Sequence, residues 1–366
     1  MQSLPPSSPT PQPRPLAIMR WLLLVALCVA VMVVVGGITR LTESGLSITQ
    51  WNPVSGAIPP LSAADWAREF ALYQRTTEFQ TLNRSMDLAA FKHIYFWEWL
   101  HRLLGRLVGL VYAVPLVWFA WKRAIPTGFA PRLIGLLVLG ALQGVVGWWM
   151  VVSGLVGRTD VSHYRLAVHL NLALFILGLC VWSARDMALF MRHERKSDML
   201  LAARGEQGTR TRIAWPVATW GVALALLILA AQLLWGAFTA GLNAGYAYAS
   251  WPLMGDAIFP TDVTMTPPWA ANLIDNPIVV QFIHRWLAFV AGAGLLWLAW
   301  RAWHSGDLRI AVVLAALVVV QITLGIATLL SGVALPIAVA HQGVAALLVA
   351  CAAWCGHAAS GQGARR

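Results

Sequence analysis

The chain has 366 residues, 59% of them hydrophobic and 11% charged, with 20 Trp and a formal net charge of +11. So apolar a composition excludes an ordinary soluble domain of this length. The positive charge would suit nucleic acid, but it gathers in short segments between apolar runs, which is how a membrane protein marks its cytoplasmic side and argues against that partner.

Residues 1–16, rich in Pro and Ser, predict a disordered tail. They have neither the arginine-rich amphipathic character of a transit peptide nor a small-residue cleavage site, so the first apolar run reads as an uncleaved span. Crossing about 30 Å of hydrocarbon takes roughly 20 apolar residues. Eight runs qualify, over 17–38, 99–121, 132–152, 165–185, 214–238, 278–300, 310–330 and 335–355. With the N-terminus inside, Arg14, Arg20, Lys122, Arg123, Arg132, Arg192, Arg195, Lys196, Arg204, Arg210, Arg212, Arg301, Arg309, Arg365 and Arg366 all face the cytoplasm, as do both termini. The external loop over 40–97 is long enough to fold. In it Ser62-Ala-Ala-Asp65 resembles a helix cap and Trp66, Phe70 and Tyr73 follow at helical spacing, predicting a helix that lies on the membrane surface over the first pocket. Cys28, Cys180, Cys351 and Cys355 all fall within spans and read as small buried hydrophobes.

The two halves correspond. Gly36, Thr39, Gly45 and Trp51 match Gly236, Thr239, Gly245 and Trp251 at an offset of 200 residues. His101-Arg102 matches His284-Arg285 at 183, Gln143 and Gly147 match Gln321 and Gly325 at 178, and His169 matches His341 at 172. The expected fold is an all-α integral membrane protein made of two parallel-related four-helix bundles. They occupy 17–185 and 214–357, joined by a basic cytoplasmic linker over 186–213 and followed by a tail over 358–366.

In this topology His101, His169, His284 and His341 open outside-to-inside spans and share one depth near the external face. Two histidines on different helices of one bundle can ligate one haem from opposite sides. A lone histidine at a span's end is more often a hydrogen-bonded interfacial residue, but four at matched positions favour ligation. A non-haem metal would want further His, Asp or Glu partners within the spans. Gly105, Gly109, Ala288 and Gly292 leave room for a flat macrocycle or serve close helix packing. Arg102, Arg106 and Arg285 suit haem propionates, with snorkelling to the interface as the alternative and Arg40 and Arg165 as lesser candidates. Glu98 precedes His101 by three residues and shares its face, whereas the second half has Gln281 there. Its carboxylate can take a proton or stabilise a developing cation, or can simply pair with Arg102 at i,i+4. His93, His163, His193, His304 and His357 are assigned no chemistry.

Glu98-x-x-His101-Arg102-x-x-Gly105-Arg106, the glycine-threonine segment ending the first span, His169 and the His284/His341 pair together resemble the haem A synthase family over nearly all of 17–356. The resemblance implies oxidation of the haem O methyl group to the formyl group of haem A for terminal oxidases, in a bacterial inner (plasma) membrane. It implies haem O between His101 and His169, a permanent haem b ligated by His284 and His341, and catalysis by Glu98 through a carbocation-like or alcohol intermediate. Some members carry a cysteine pair in the first external loop; this chain resembles the branch without it. A haem O synthase, an electron-transfer protein and a second copy of the chain are the candidate protein partners. The rival reading is a di-haem b-type cytochrome that only transfers electrons, which leaves the Glu98/Gln281 difference unexplained. A parallel-repeat transporter is the third, weakened by the lack of a Gly/Pro-broken helix pair near mid-membrane.

Overall fold

The computed structural model describes residues 13–155, 157–204 and 218–360. In chain order its α-helices are α1 (Pro15–Leu41), α2 (Ala63–Tyr73), α3 (Thr77–Thr81), α4 (Leu88–Trp121), α5 (Ala130–Val152), α6 (His163–Arg204), α7 (Trp220–Gly241), α8 (Asn272–Asp275), α9 (Pro277–His304), α10 (Leu308–Leu330) and α11 (Leu335–Ser360). Among the described residues there is no strand, and eight helices, α1, α4, α5, α6, α7, α9, α10 and α11, are long and apolar enough to cross a membrane. The eight correspond one to one with the expected spans. Their outer faces carry the stripe such helices need. On α4, Leu107, Leu110, Val114, Val117 and Trp121 recur every three or four residues and are exposed. That much apolar surface belongs against lipid.

Local chemistry explains several helix ends. Pro15 and Pro277 stand at first-turn positions, where a missing N–H costs nothing. The cap foreseen at Ser62 is present, with the Ser62 hydroxyl accepting from the Asp65 N–H at 3.1 Å and the Asp65 carboxylate accepting from the Ser62 N–H at 3.2 Å. The apolar face of α2 does not lie free on a membrane surface. Trp66, Phe70 and Tyr73 pack on Phe91 and Tyr95, in an extension of α4 that begins at Leu88, well outside the expected span. Asp87 caps that extension, so residues placed in the external loop by hydropathy are helical.

A second difference lies at the cytoplasmic join. Helix α6 continues to Arg204, because the basic segment contains no Gly or Pro between Asp186 and Arg204 to stop it. The expected linker is therefore helical over its first part. Its remainder, including Arg210 and Arg212, and the start expected for the fifth span lie outside the described residues, as do most of the N-terminal tail and Arg365 and Arg366.

Helices α4 and α6 pack against α1, and α5 packs against α6, while α9 touches α7, α10 and α11. Helices α1, α6, α7 and α11 make the contacts between these two groups. Leu22 and Val25 of α1, Leu177 and Cys180 of α6, and Val349 and Cys355 of α11 belong to one continuous apolar core. Polar contacts cross the same seam. Gln342 donates to the Val33 carbonyl at 2.7 Å, and a side chain on Gly37 would begin 2.8 Å from the Gln342 amide. At the expected outer end Arg40 donates to Asn243 at 2.9 Å, and at the inner end buried Asp186 takes His357 at 2.8 Å together with Arg132. A buried carboxylate is tolerable only with such partners.

Candidate functional site

Each of the four histidines projects from one helix onto a glycine of another. A Cβ added to Gly36 of α1 would stand 2.9 Å from His101 Cε1 of α4, and one on Gly147 of α5 would stand 2.9 Å from His169 Cε1 of α6. Gly236 of α7 meets His284 of α9 at 2.9 Å, and Gly325 of α10 meets His341 of α11 at 3.0 Å. Only the absence of a side chain lets the imidazoles lie there. The same four glycines mark the correspondence of the halves in sequence, and here they have a common physical task. Within each half the two rings lie within electrostatic reach of each other, His101 of His169 and His284 of His341.

Three of the imidazoles also meet a glutamine one helical turn before the glycine. The Gln143 amide lies 3.1 Å from His169 Nδ1, and that of Gln232 lies 3.0 Å from His284 Nδ1. Gln321 approaches His341 Nε2 at 3.4 Å. Gln143 and Gln321 appear in the sequence only as landmarks of the duplication, and Gln232 escapes notice altogether. The readable signal is Gln-x-x-x-Gly, present in α5, α7 and α10.

Glu98 is 3% exposed and fully engaged. It accepts from the Ser47 hydroxyl at 2.7 Å, the Ile48 N–H at 2.8 Å and Arg102 at 2.7 Å, so the i,i+4 ion pair exists. Arg102 also donates to the carbonyls of Ile48 and Gln50 at 2.9 and 3.1 Å. The second half repeats the arrangement with an amide. Arg285 donates to Gln281 Oε1 at 3.2 Å and to the carbonyls of Tyr248 and Ser250, each at 2.8 Å, while the Gln281 amide donates to the Tyr248 carbonyl at 3.1 Å. In both halves this pair straps the segment after the first helix onto the histidine helix.

The arginines are thus partly spent on backbone. Arg106 donates to the carbonyls of Pro53 and Asn52 at 2.8 and 2.9 Å, Arg40 spans to the second half, and Arg165 donates to the Trp149 carbonyl at 2.7 Å. Arg106 Nη1 and Arg285 Nε remain buried without an acceptor, as does the Nδ1 of His101. Orphaned buried donors on the same helices as glycine-cradled imidazoles fit a flat ligand that carries both a metal and carboxylates. Of the expected small-residue faces, Gly109 borders open space and Gly105 meets only Met32, at 3.7 Å. Gly292 instead makes ordinary packing contact with Val318 and Ile322. Among the described residues, no three His, Cys, Asp or Glu side chains converge as a metal cage.

Comparisons with known proteins identify the family. Residues 19–353 match the family model COX15-CtaA, described as cytochrome oxidase assembly protein. The chain belongs to the COX15-CtaA family. A protein of Rhizorhabdus wittichii named Heme A synthase is 51% identical over 347 residues, covering 95% of both chains. One of the same name from Sphingopyxis alaskensis is 49% identical over 349 residues, with 95% of this chain and 93% of the relative covered. A third, from Rhodospirillum centenum, is 48% identical over 348 residues, with 94% and 88% covered.

In this COX15-CtaA chain a second buried acid stands behind Glu98. Glu78 of α3 is 3% exposed, and its Oε2 has no partner. Burial, with the charges of Glu98, Glu43 and Asp160 acting in the same direction, pushes its carboxyl from 4.5 up to about 8. Folded chains then keep a proton that unfolded chains lose, so the stability of the outer cap falls as pH rises from about 4.5 to about 8 and is flat above. Limited proteolysis of the segment 63–81 at pH about 5 and about 9 is expected to show faster cleavage at the higher pH, and Glu78→Gln to remove the difference. An equal pH dependence in parent and variant would contradict the assignment.

Proposed function

We propose that this protein is a haem A synthase that oxidises the methyl group of haem O to a formyl group. Haem O is held between His101 and His169, and a resident haem b between His284 and His341. The observation that carries the reading is a chemical difference between the straps of two matching frameworks: the strap that holds the outer segment contains a carboxylate, Glu98, in the first half and an amide, Gln281, in the second. Each side chain anchors the arginine four residues on, Arg102 or Arg285. Only Glu98 can in addition take a proton or stabilise positive charge developing at the edge of a bound ring.

The chain's own residues divide the work. The imidazoles position the two rings, the glycine cradles fix the direction of each imidazole, and the free donors on Arg106 and Arg285 suit propionates. When bound, haem b supplies one-electron transfer. Ser47, the Ile48 N–H and Arg102 hold the Glu98 carboxylate in a single orientation, which is what a group acting on a fixed carbon requires. The cytoplasmic placement of both termini in a bacterial inner membrane rests on the basic residues and puts the histidines toward the outer face.

The ion pair of Glu98 is the one observation that favours a simple di-haem electron carrier. Pigment analysis decides between the two. Non-covalent haems extracted from protein made in a haem O-producing strain are expected to include haem O or haem A beside haem b, and haem b alone would reject the synthase.

The cradles give a separate expectation. Gly236→Ala puts a methyl where His284 Cε1 now lies within 2.9 Å, so the ring must turn away. Haem b binding should weaken by about tenfold, the lower end of what disturbing a ligating histidine's support costs. A haem titration monitored by absorbance reads this directly, and unaltered binding would show that the cradle does not matter.

A further inference from the structure

Four imidazoles rest on four glycines, yet only three have an amide within hydrogen-bond range. The residue one turn before the glycine is Gln143 in α5, Gln232 in α7 and Gln321 in α10, and in α1 it is Met32. The register that pairs Gly36 with Gly236 pairs Met32 with Gln232. The Met32 methyl lies 3.7 Å from where a side chain on Gly105, one turn beyond His101, would begin, so the side chain at position 32 runs toward the His101 helix. His101 Nδ1 is buried without any partner. A thioether is at best a feeble acceptor.

A ligating imidazole binds through one nitrogen and normally donates its other N–H to an oxygen, which sets the ring's direction and raises its basicity. The three glutamines can do this: each has a buried Oε1 without a partner, and a half-turn of the amide exchanges that oxygen for the nitrogen now near the ring. The hold is closest at His284, where the Gln232 amide lies 3.0 Å from Nδ1, and loosest at His341, where Gln321 approaches Nε2 at 3.4 Å and Nδ1, like that of His101, has no partner. Position 32 can supply no such bond.

We propose that Met32 makes His101 the exchangeable ligand, so that the first-half pocket admits and releases its haem while the amide-supported second half retains its own. Met32 is a positioning residue acting through His101. The inference rests on the reading of the first half as the substrate pocket, and it adds the reason that this pocket turns over. A substrate haem that must leave as product needs a ligand that lets go, and a resident cofactor needs the reverse.

The test uses the full-length protein in detergent, loaded with haem, with release followed by capture in excess apomyoglobin. Met32→Gln is expected to slow the fast phase of release by about tenfold, the lower end of the effect of a supporting hydrogen bond on a metal ligand. It should also lower the midpoint potential of that haem, since a more basic imidazole favours the ferric state. Gln232→Met is expected to speed release of the slow haem. Met32→Leu, similar in volume and without an amide, should release at least as fast as the parent. A release rate and potential unchanged in Met32→Gln would overturn the inference, as would equal slowing in Met32→Leu, which would reduce the effect to packing. His101→Ala separates the two levels. If it abolishes the fast-released haem, the pocket assignment stands whatever Met32 does, and if that haem persists, the assignment and the inference fall together.

Discussion

His284→Ala is expected to purify without the absorbance of the resident haem while keeping its helical fold. The imidazole rests against Gly236 and meets the Gln232 amide at 3.0 Å, and it forms no part of the continuous apolar core. Alanine is also the most favourable residue in a helix interior. Helix α9 remains held by α7, α10 and α11, so far-ultraviolet circular dichroism should match the parent. The variant would lose one of the two imidazoles proposed to hold haem b, and a haem left on His341 alone should change its reduced-minus-oxidised spectrum and wash out during purification. Imidazole added to the buffer can occupy the space beside Gly236 and should restore part of the signal, which a merely structural role would not allow. A spectrum identical to the parent would remove haem b from this half.

The eight spans were legible because nothing else in a protein needs so many unbroken apolar residues, and the pairing of histidines followed from counting positions in two matched halves. Hydropathy failed where helices leave the apolar zone. The first turns of α4 are helical because Phe91 and Tyr95 pack against Trp66, Phe70 and Tyr73, contacts between segments that no periodicity within either one announces. The arginines show a different limit. Arg102 and Arg285 have the chemistry to bind carboxylates, but the outer segments fold back so that backbone carbonyls occupy much of each guanidinium, and the course of an irregular segment is not written in its composition. The glutamines beside the histidines were legible in principle. Gln-x-x-x-Gly recurs in three helices, and its meaning emerges once each glycine is seen to carry a ring.

For Glu98→Gln the same chain contains a natural precedent. Gln281 occupies the equivalent place, accepts from Arg285 and donates to the Tyr248 carbonyl, so an amide can hold the arginine and anchor the outer segment. The exchange is not free, because Ser47 and the Ile48 N–H now share one carboxylate oxygen, and an amide nitrogen in its place accepts from neither. The Ser47 hydroxyl can turn to accept from that nitrogen, which leaves the Ile48 N–H unpaired; one unpaired buried donor costs about 1–3 kcal/mol, which should appear as a modest fall in thermal stability rather than loss of the fold. Chemistry should suffer far more. Removing a group that transfers a proton or balances charge in the rate-determining step typically costs about 100- to 10,000-fold, so haem A should fall below detection while haem b stays bound and haem O accumulates in the first pocket. Chromatography of haems extracted from the purified variant, made in a strain supplying haem O, measures all three at once. Normal haem A would show that the carboxylate serves only as a strap. Loss of haem O together with haem A would assign Glu98 to building the pocket, because a binding defect and a chemical defect differ in whether the substrate is still there. Retention of haem O with no product is the one pattern that a catalytic carboxylate predicts and an ion pair does not.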